Sequence, residues 1–212
     1  MISATEFKRH ISKTLSEHLR GLGFKGTGFN YSLGTEDFVF TIGIQASRYG
    51  GQCCAELGIQ PREIDRFGEH VIDFKKLKYS NCEFRTRLSR NNGAGQWWKY
   101  SDSEESNIQI AKDLCHIIDR DISPIVALFR SEPYVLDRIE IGDLDNIFKS
   151  MPRKLAGMTL MTSDVRLAWA LMKVYAKRDI AKAKAYAHFG LSKLDNSSTF
   201  IGKRDFEEIL KV

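Results

Sequence analysis

Apolar residues recur at helical spacing through Phe7, Ile11, Leu15, Leu19 and Leu22, and Ser3 stands three residues before Glu6 in the manner of a capping box. This predicts a first helix over about 4–21, with Gly21 and Gly23 available to end it. The pattern then changes character. Three segments, 24–33, 38–47 and 53–60, read as strands, parted by Gly34-Thr35-Glu36-Asp37 and by Arg48-Tyr49-Gly50-Gly51, and they predict an antiparallel meander. Residues 61–80 are charged and irregular, 82–89 alternate well enough for a fourth strand, and Asn91-Asn92-Gly93-Ala94-Gly95 reads as a loop. Asp102 and Glu105 repeat the capping spacing ahead of an apolar stripe of Ile108, Ala111, Cys115, Ile118 and Ile122, which predicts the main packing helix over about 103–122. Pro124 suits the start of a further turn or two, and Ser131-Glu132-Pro133 closes it. From about 143 the pattern is helical; 165–177 and 180–194, joined at Arg178-Asp179, form one helix hairpin of tetratricopeptide-like character without a repeat.

These elements predict an α+β protein: an antiparallel sheet of four or more strands with helices packed on one face, plus a C-terminal helical subdomain. The expected division is a sheet domain over 1–131, a connecting segment over 132–162 and a helical hairpin over 163–212.

Side chains alternate along a strand, so Phe38, Phe40, Ile42, Ile44 and Ala46 share one face, while Val39, Thr41, Gly43, Gln45 and Ser47 share the other. Cys53, Ala55, Leu57 and Ile59 oppose Cys54, Glu56 and Gly58, and Phe84, Thr86 and Leu88 oppose Glu83, Arg85 and Arg87. The adjacent cysteines are thereby split between faces, which disfavours a shared metal site or a disulfide and makes them small buried residues. The second face carries Gln45, Ser47, Glu56, Arg85 and Arg87 over a floor of Gly43 and Gly58, where a ligand or partner could approach the backbone. It reads either as a plain solvated face, with Glu56 paired to Arg85 or Arg87 for under about 1 kcal/mol, or as a binding face rimmed by Tyr49 and by Trp97 or Trp98.

The remaining chemistry is excluded more readily than assigned. The net charge of +5 is distributed, with an acidic stretch over 101–150 between basic flanks, and it suits solubility as well as a nucleic-acid surface. Four cysteines without C-x-x-C spacing read as reduced thiols, and the absence of a leader pattern or a long apolar run predicts a cytoplasmic protein that does not engage a membrane. His10, His18, His70, His116 and His188 are scattered, so no metal or other cofactor is expected. No phosphate-binding loop or nucleophile elbow is present; Gly21-x-Gly23-x-x-Gly26 leads into strand rather than helix. The best enzymatic reading is a metal-dependent nuclease using Glu56, Asp73 and Glu83 with Arg85 beside a phosphate. Of Trp97 and Trp98, one is expected to close the core and the other to stay partly exposed, and Trp169 is expected in the core.

Phe7, the Gly21-Leu22-Gly23-Phe24 helix end, 44–50, Leu57-Gly58-Ile59, 82–88 and Trp97-Trp98 together resemble a bacterial group catalogued as domain-of-unknown-function family 4304, over about residues 4–130. Ala46 stands where that resemblance leads one to expect lysine. The resemblance implies no activity. Analogy with small bacterial proteins that accompany toxins or phage-defence systems suggests a non-catalytic, immunity-like or antitoxin-like module. The expected ligand is therefore a protein partner, met through Gln45, Ser47, Tyr49, Glu56, Arg85, Arg87, Trp97 and Trp98, with nucleic acid as the alternative.

Overall fold

Helix α1 (Ala4–Gly21) starts where Ser3 Oγ accepts the Glu6 backbone N–H at 3.1 Å, and it buries Phe7, Ile11, Leu15 and Leu19 completely. It ends through Gly23, whose φ of +88° lets the Phe24 N–H reach back to the Leu19 carbonyl at 2.9 Å. The computed structural model describes residues 2–67, 70–90, 96–131, 134–195 and 198–212. The loop expected at Asn91–Gly95 and the Glu132-Pro133 stop lie outside the described residues.

The sheet is antiparallel, in the order β1 (Lys25–Thr27), β2 (Asn30–Gly34), β3 (Phe38–Ala46), β4 (Gln52–Pro61) and β7 (Phe84–Arg87). A last short strand, β8 (Trp98–Lys99), pairs with β4 beyond the end of β7. The single strand expected over 24–33 is a hairpin instead. Gly28, at φ +64°, turns the chain so that Thr27 faces Asn30, as a two-residue loop led by glycine does. A two-strand ribbon, β5 (Arg66–Phe67) and β6 (His70–Val71), interrupts the otherwise irregular 61–80 segment.

Helix α2 (Glu104–Ile117) is capped by Ser103, whose Oγ accepts the Ser106 N–H at 3.2 Å; the cap falls one residue beyond the Asp102 that the spacing suggested. The chain widens into a π turn over Ile118–Ile122 and resumes as α3 (Ser123–Phe129) with Pro124 in its first turn. The first sheet face packs against these helices. Phe129 meets Phe38 and Phe40 edge-on at centroid distances of 5.0 and 6.0 Å, Phe7 stacks on Tyr100 at 4.2 Å, and Ser16 on α1 hydrogen-bonds the Tyr31 hydroxyl at 2.8 Å. Asn107, fully buried on α2, reaches His10 Nδ1 on α1 at 3.0 Å.

Two 3-10 segments, Val135–Arg138 and Ile141–Asn146, lead into α4 (Ile147–Lys154), and α5 (Asp164–Tyr175) and α6 (Ile180–Ser192) form the expected hairpin. A further helix, α7 (Lys203–Ile209), packs on it through Phe206, whose ring occupies the space left by the missing side chain of Gly190. Trp169 is fully buried and donates from Nε1 to Asp205 at 2.7 Å. Buried apolar residues from Phe7 to Phe206 form one connected cluster. Among the described residues, no helix is long and apolar enough to cross a membrane.

Candidate functional site

The β3–β4 register sets Gly43 against Glu56 and Gln45 against Cys54, and the β4–β7 register sets Glu56 against Arg87 and Gly58 against Arg85. Cys53 faces the core with Ala46 as its cross-strand partner, and Cys54 points the other way, so the doublet is split as alternation requires.

The second face is not a wet floor. Thr41, Cys54, Glu56 and Gln60 on it are each 2% exposed or less. Residues Tyr79–Asn81 make a 3-10 turn that lies on the face, with the Tyr79 ring over Gly43 and its backbone over Gly58. The glycines allow a close approach, as their position suggested, but the approaching group belongs to the chain itself. A Cβ at Gly58 would lie 2.8 Å from Tyr79 Cα and from Cys82 Sγ. Buried polar groups here are answered internally: Gln60 Oε1 accepts the Glu83 N–H at 3.0 Å while its Nε2 donates to the Ile64 carbonyl at 3.0 Å, and Thr41 Oγ1 donates to the Gly58 carbonyl at 3.3 Å.

A direct test is available. A methyl group added at Gly43 would occupy the space of the Tyr79 ring, so Gly43→Ala is expected to cost about 1–3 kcal/mol in urea unfolding, as overpacking does. In a Tyr79→Ala background that cost should largely vanish, whereas Gly58→Ala, which meets backbone, should stay costly. Equal costs for Gly43→Ala in both backgrounds would show that Tyr79 does not cover the face.

The expected site residues separate into two sets. Glu56 is buried and accepts from Arg87 Nε at 2.9 Å, and Arg87 in turn places its guanidinium 5.8 Å from the Trp97 ring centroid. Pairing of Cys53 with Trp98 puts Trp98 on the core face, where it is 3% exposed, and alternation leaves Trp97 on the second face at 37%. Gln45 is half-buried, with Oε1 accepting from Cys54 Sγ at 3.6 Å, and Ser47 Oγ accepts the Tyr49 N–H at 3.1 Å to shape the β3–β4 turn. Tyr49 is 81% exposed and hydrogen-bonds Arg48. Gln45, Tyr49, Arg87 and Trp97 therefore belong to one end of the sheet, while Glu56 and Trp98 serve from beneath and cannot themselves touch a partner. Arg85 stands apart, beside the Tyr79–Asn81 turn, with one long hydrogen bond of 3.5 Å to the Ser80 carbonyl.

The carboxylates of the nuclease reading do not converge. Glu56 is held by Arg87, and Glu83, buried on the same face, is clamped by Arg166 Nε and an Arg166 terminal nitrogen at 2.7 Å each. Asp73 is exposed and caps the Lys75 N–H at 3.0 Å. Among the described residues, no group of three or more His, Cys, Asp or Glu could hold a metal ion. Each arginine is the better counter-ion for its own carboxylate, which is why residues on one strand face do not make a cation cage here.

All four thiols are free and buried, and burial pushes Cys53 and Cys82 up to about 12 and Cys54 and Cys115 up to about 11. Thiols so shifted are almost wholly protonated at neutral pH and are weak nucleophiles. The doublet of the β4 strand is therefore packing material.

Sequence reading passed over the partners of this face. Tyr79, Met161 and Arg166 come from segments with no recognisable motif, although Gly43 and Gly58 did mark a place where a group could approach. Met161 donates its N–H to the Arg85 carbonyl at 2.8 Å and so closes the free edge of β7. Between Phe67, the 70–82 segment and the start of α5 a groove of about 850 Å³ remains, bordered by Arg85 and Arg166.

A family model described as Domain of unknown function (DUF4304) matches residues 15–128, more than half of the chain. No curated protein and no solved structure matches.

Proposed function

The chain belongs to the family described as Domain of unknown function (DUF4304), and from the arrangement at the turn end of its sheet we propose that it is a non-catalytic binding protein that engages a protein partner. The observation that carries this reading is the Arg87–Trp97 pair. Glu56 fixes the guanidinium from below and the indole lies against it from the side, while Tyr49 projects from the adjoining turn. Arginine and aromatic rings supply most interface anchors, and an arginine already held in place loses little freedom on binding. Such a protein acts stoichiometrically, as immunity-like or antitoxin-like modules do. The nuclease alternative is the weaker reading, because Glu56 and Glu83 are spent on arginines and the exposed Asp73 does not converge with them.

Affinity purification from the cells that make the protein tests this. Wild type should retain a stoichiometric protein, and Tyr49→Ala with Trp97→Ala should weaken that complex by roughly 30-fold or more, about 2 kcal/mol, without changing the unfolding midpoint appreciably. Raising salt from low to moderate concentration should affect the complex little, since a desolvated centre is not held by counter-ion release. Steep release of bound nucleic acid by salt, or a complex indifferent to both substitutions, would exclude the proposal.

A further inference from the structure

The groove between the 70–82 segment and α5 carries, among the described residues, an imbalance of charge that its own side chains leave unanswered. Among the described residues, four cations, Lys76, Lys78, Arg85 and Arg166, border it against two carboxylates, Asp73 and Glu83. Both carboxylates are taken. Glu83 receives two hydrogen bonds from Arg166, which is further pinned with its guanidinium 3.9 Å from the Phe67 ring centroid and 4.6 Å from that of Trp169. Asp73 lies 3.8 Å from the Lys76 ammonium. Arg85 and Lys78 have no carboxylate within 4.0 Å among the described residues, and the Arg85 guanidinium makes one long, solvent-exposed hydrogen bond, 3.5 Å to the Ser80 carbonyl.

A guanidinium without a counter-charge at the border of a groove keeps its donors open to an anion, which it can meet with two parallel hydrogen bonds. The backbone around Arg85 is rigid, because its strand pairs with β4 on one side and its carbonyl is held by Met161 on the other. Placement on a strand fixes the point from which this side chain extends along the groove. The other walls are partly apolar: Phe67, Leu77 and Met161 are half-buried, and Val71 is 68% exposed beside them. A cavity of about 850 Å³ falls in the range that receives small organic molecules rather than a lone ion.

We propose that this groove is a binding site for a small organic phosphate, with the phosphate on Arg85 and Lys78 and an apolar or planar body against Leu77 and Met161. The planar fork of arginine matches two phosphate oxygens at once, and the ammonium of Lys78 adds charge without fixed geometry. The site is separate from the Arg87–Trp97 end of the sheet, from which the Tyr79–Asn81 turn divides it. It therefore does not depend on the proposed protein interface.

Phenyl phosphate, inorganic phosphate and phenol are the probes, titrated into the full chain labelled with nitrogen-15, with backbone amide shifts as the readout. Phenyl phosphate should shift amides of 77–85 and 161–166 and should bind at least tenfold more tightly than either inorganic phosphate or phenol. Arg85→Gln should weaken phenyl phosphate at least tenfold, Arg85→Lys should recover part of the loss, and Trp97→Ala should leave the affinity unchanged. Arg85 supports no buried carboxylate, so its replacement is expected to fold normally; Lys78→Gln, at an exposed position, supplies a second variant with the same expected direction. Shifts centred instead on Lys8, Lys13 and Arg20 of α1, equal affinity for phenyl phosphate and inorganic phosphate, or equal affinity in wild type and Arg85→Gln would each overturn the proposal.

Discussion

Arg166→Ala is expected to destabilise the protein by about 3–5 kcal/mol, the cost of removing one partner from a buried ion pair. The Glu83 side chain is 3% exposed and accepts both of its strong hydrogen bonds from Arg166, so truncation leaves a carboxylate with no cation in a place water scarcely reaches. The loss also strips a guanidinium from between the Phe67 and Trp169 rings. This arginine joins α5 to the sheet across 83 residues of chain, so its removal should loosen the C-terminal helices first. Urea unfolding followed by Trp fluorescence and by hydrogen exchange reads both effects: a lower midpoint, and faster exchange over 164–175 than over 38–46. Glu83→Gln added to Arg166→Met should be less destabilising than Arg166→Met alone, because an apolar replacement with no orphaned charge is tolerated better than a half-broken pair. A loss under about 1 kcal/mol for Arg166→Ala would mean that the pair behaves as an exposed one.

Arg87→Ala is the second large effect, and here the structure reverses what the strand pattern suggests. A cross-strand Glu–Arg pair on a wet face would contribute under about 1 kcal/mol, and the arginine could be removed as a clean probe of binding. Glu56 is 2% exposed beneath the Tyr79 turn, however, and Arg87 Nε is its counter-ion at 2.9 Å. Removing Arg87 should therefore cost about 3 kcal/mol of stability. Adding Glu56→Gln should recover part of it, since a neutral amide needs no counter-charge. Binding at this end of the sheet is better probed through Tyr49 and Trp97, whose exposure separates the two readouts. An Arg87→Ala protein as stable as wild type would return Glu56 to solvent and the second face with it.

Local pattern determined a good deal of this protein. Period 3.6 and a hydroxyl three residues ahead of an acid placed α1 within a residue at either end, and the same rule missed the α2 cap by one because Asp102 and Ser103 are both competent. Period 2 assigned the faces of β3, β4 and β7, split Cys53 from Cys54, and put Glu56 on one face with Arg85 and Arg87, between which the β4–β7 register chose Arg87. The end of α1 was legible because glycine at Gly23 serves a backbone need, while the hairpin at Gly28 was overlooked because Gly26 and Gly28, set among Phe24, Thr27, Phe29 and Tyr31, read equally as part of one strand.

Tertiary structure alone decided what lies on each face. Alternation says which side chains share a surface; it says nothing of which distant segment comes to rest there, since that depends on shape and on charges that are far apart in the chain. Tyr79 over Gly43, Arg166 on Glu83 and Met161 along β7 are all such contacts, and together they convert an apparently open polar face into an interior with a groove at one margin and an Arg87–Trp97 ledge at the other. The same reason governs the tryptophans. Two adjacent rings could not be ranked until β8 paired Trp98 with Cys53, after which the pleat of the sheet sent one inward and left the other facing out.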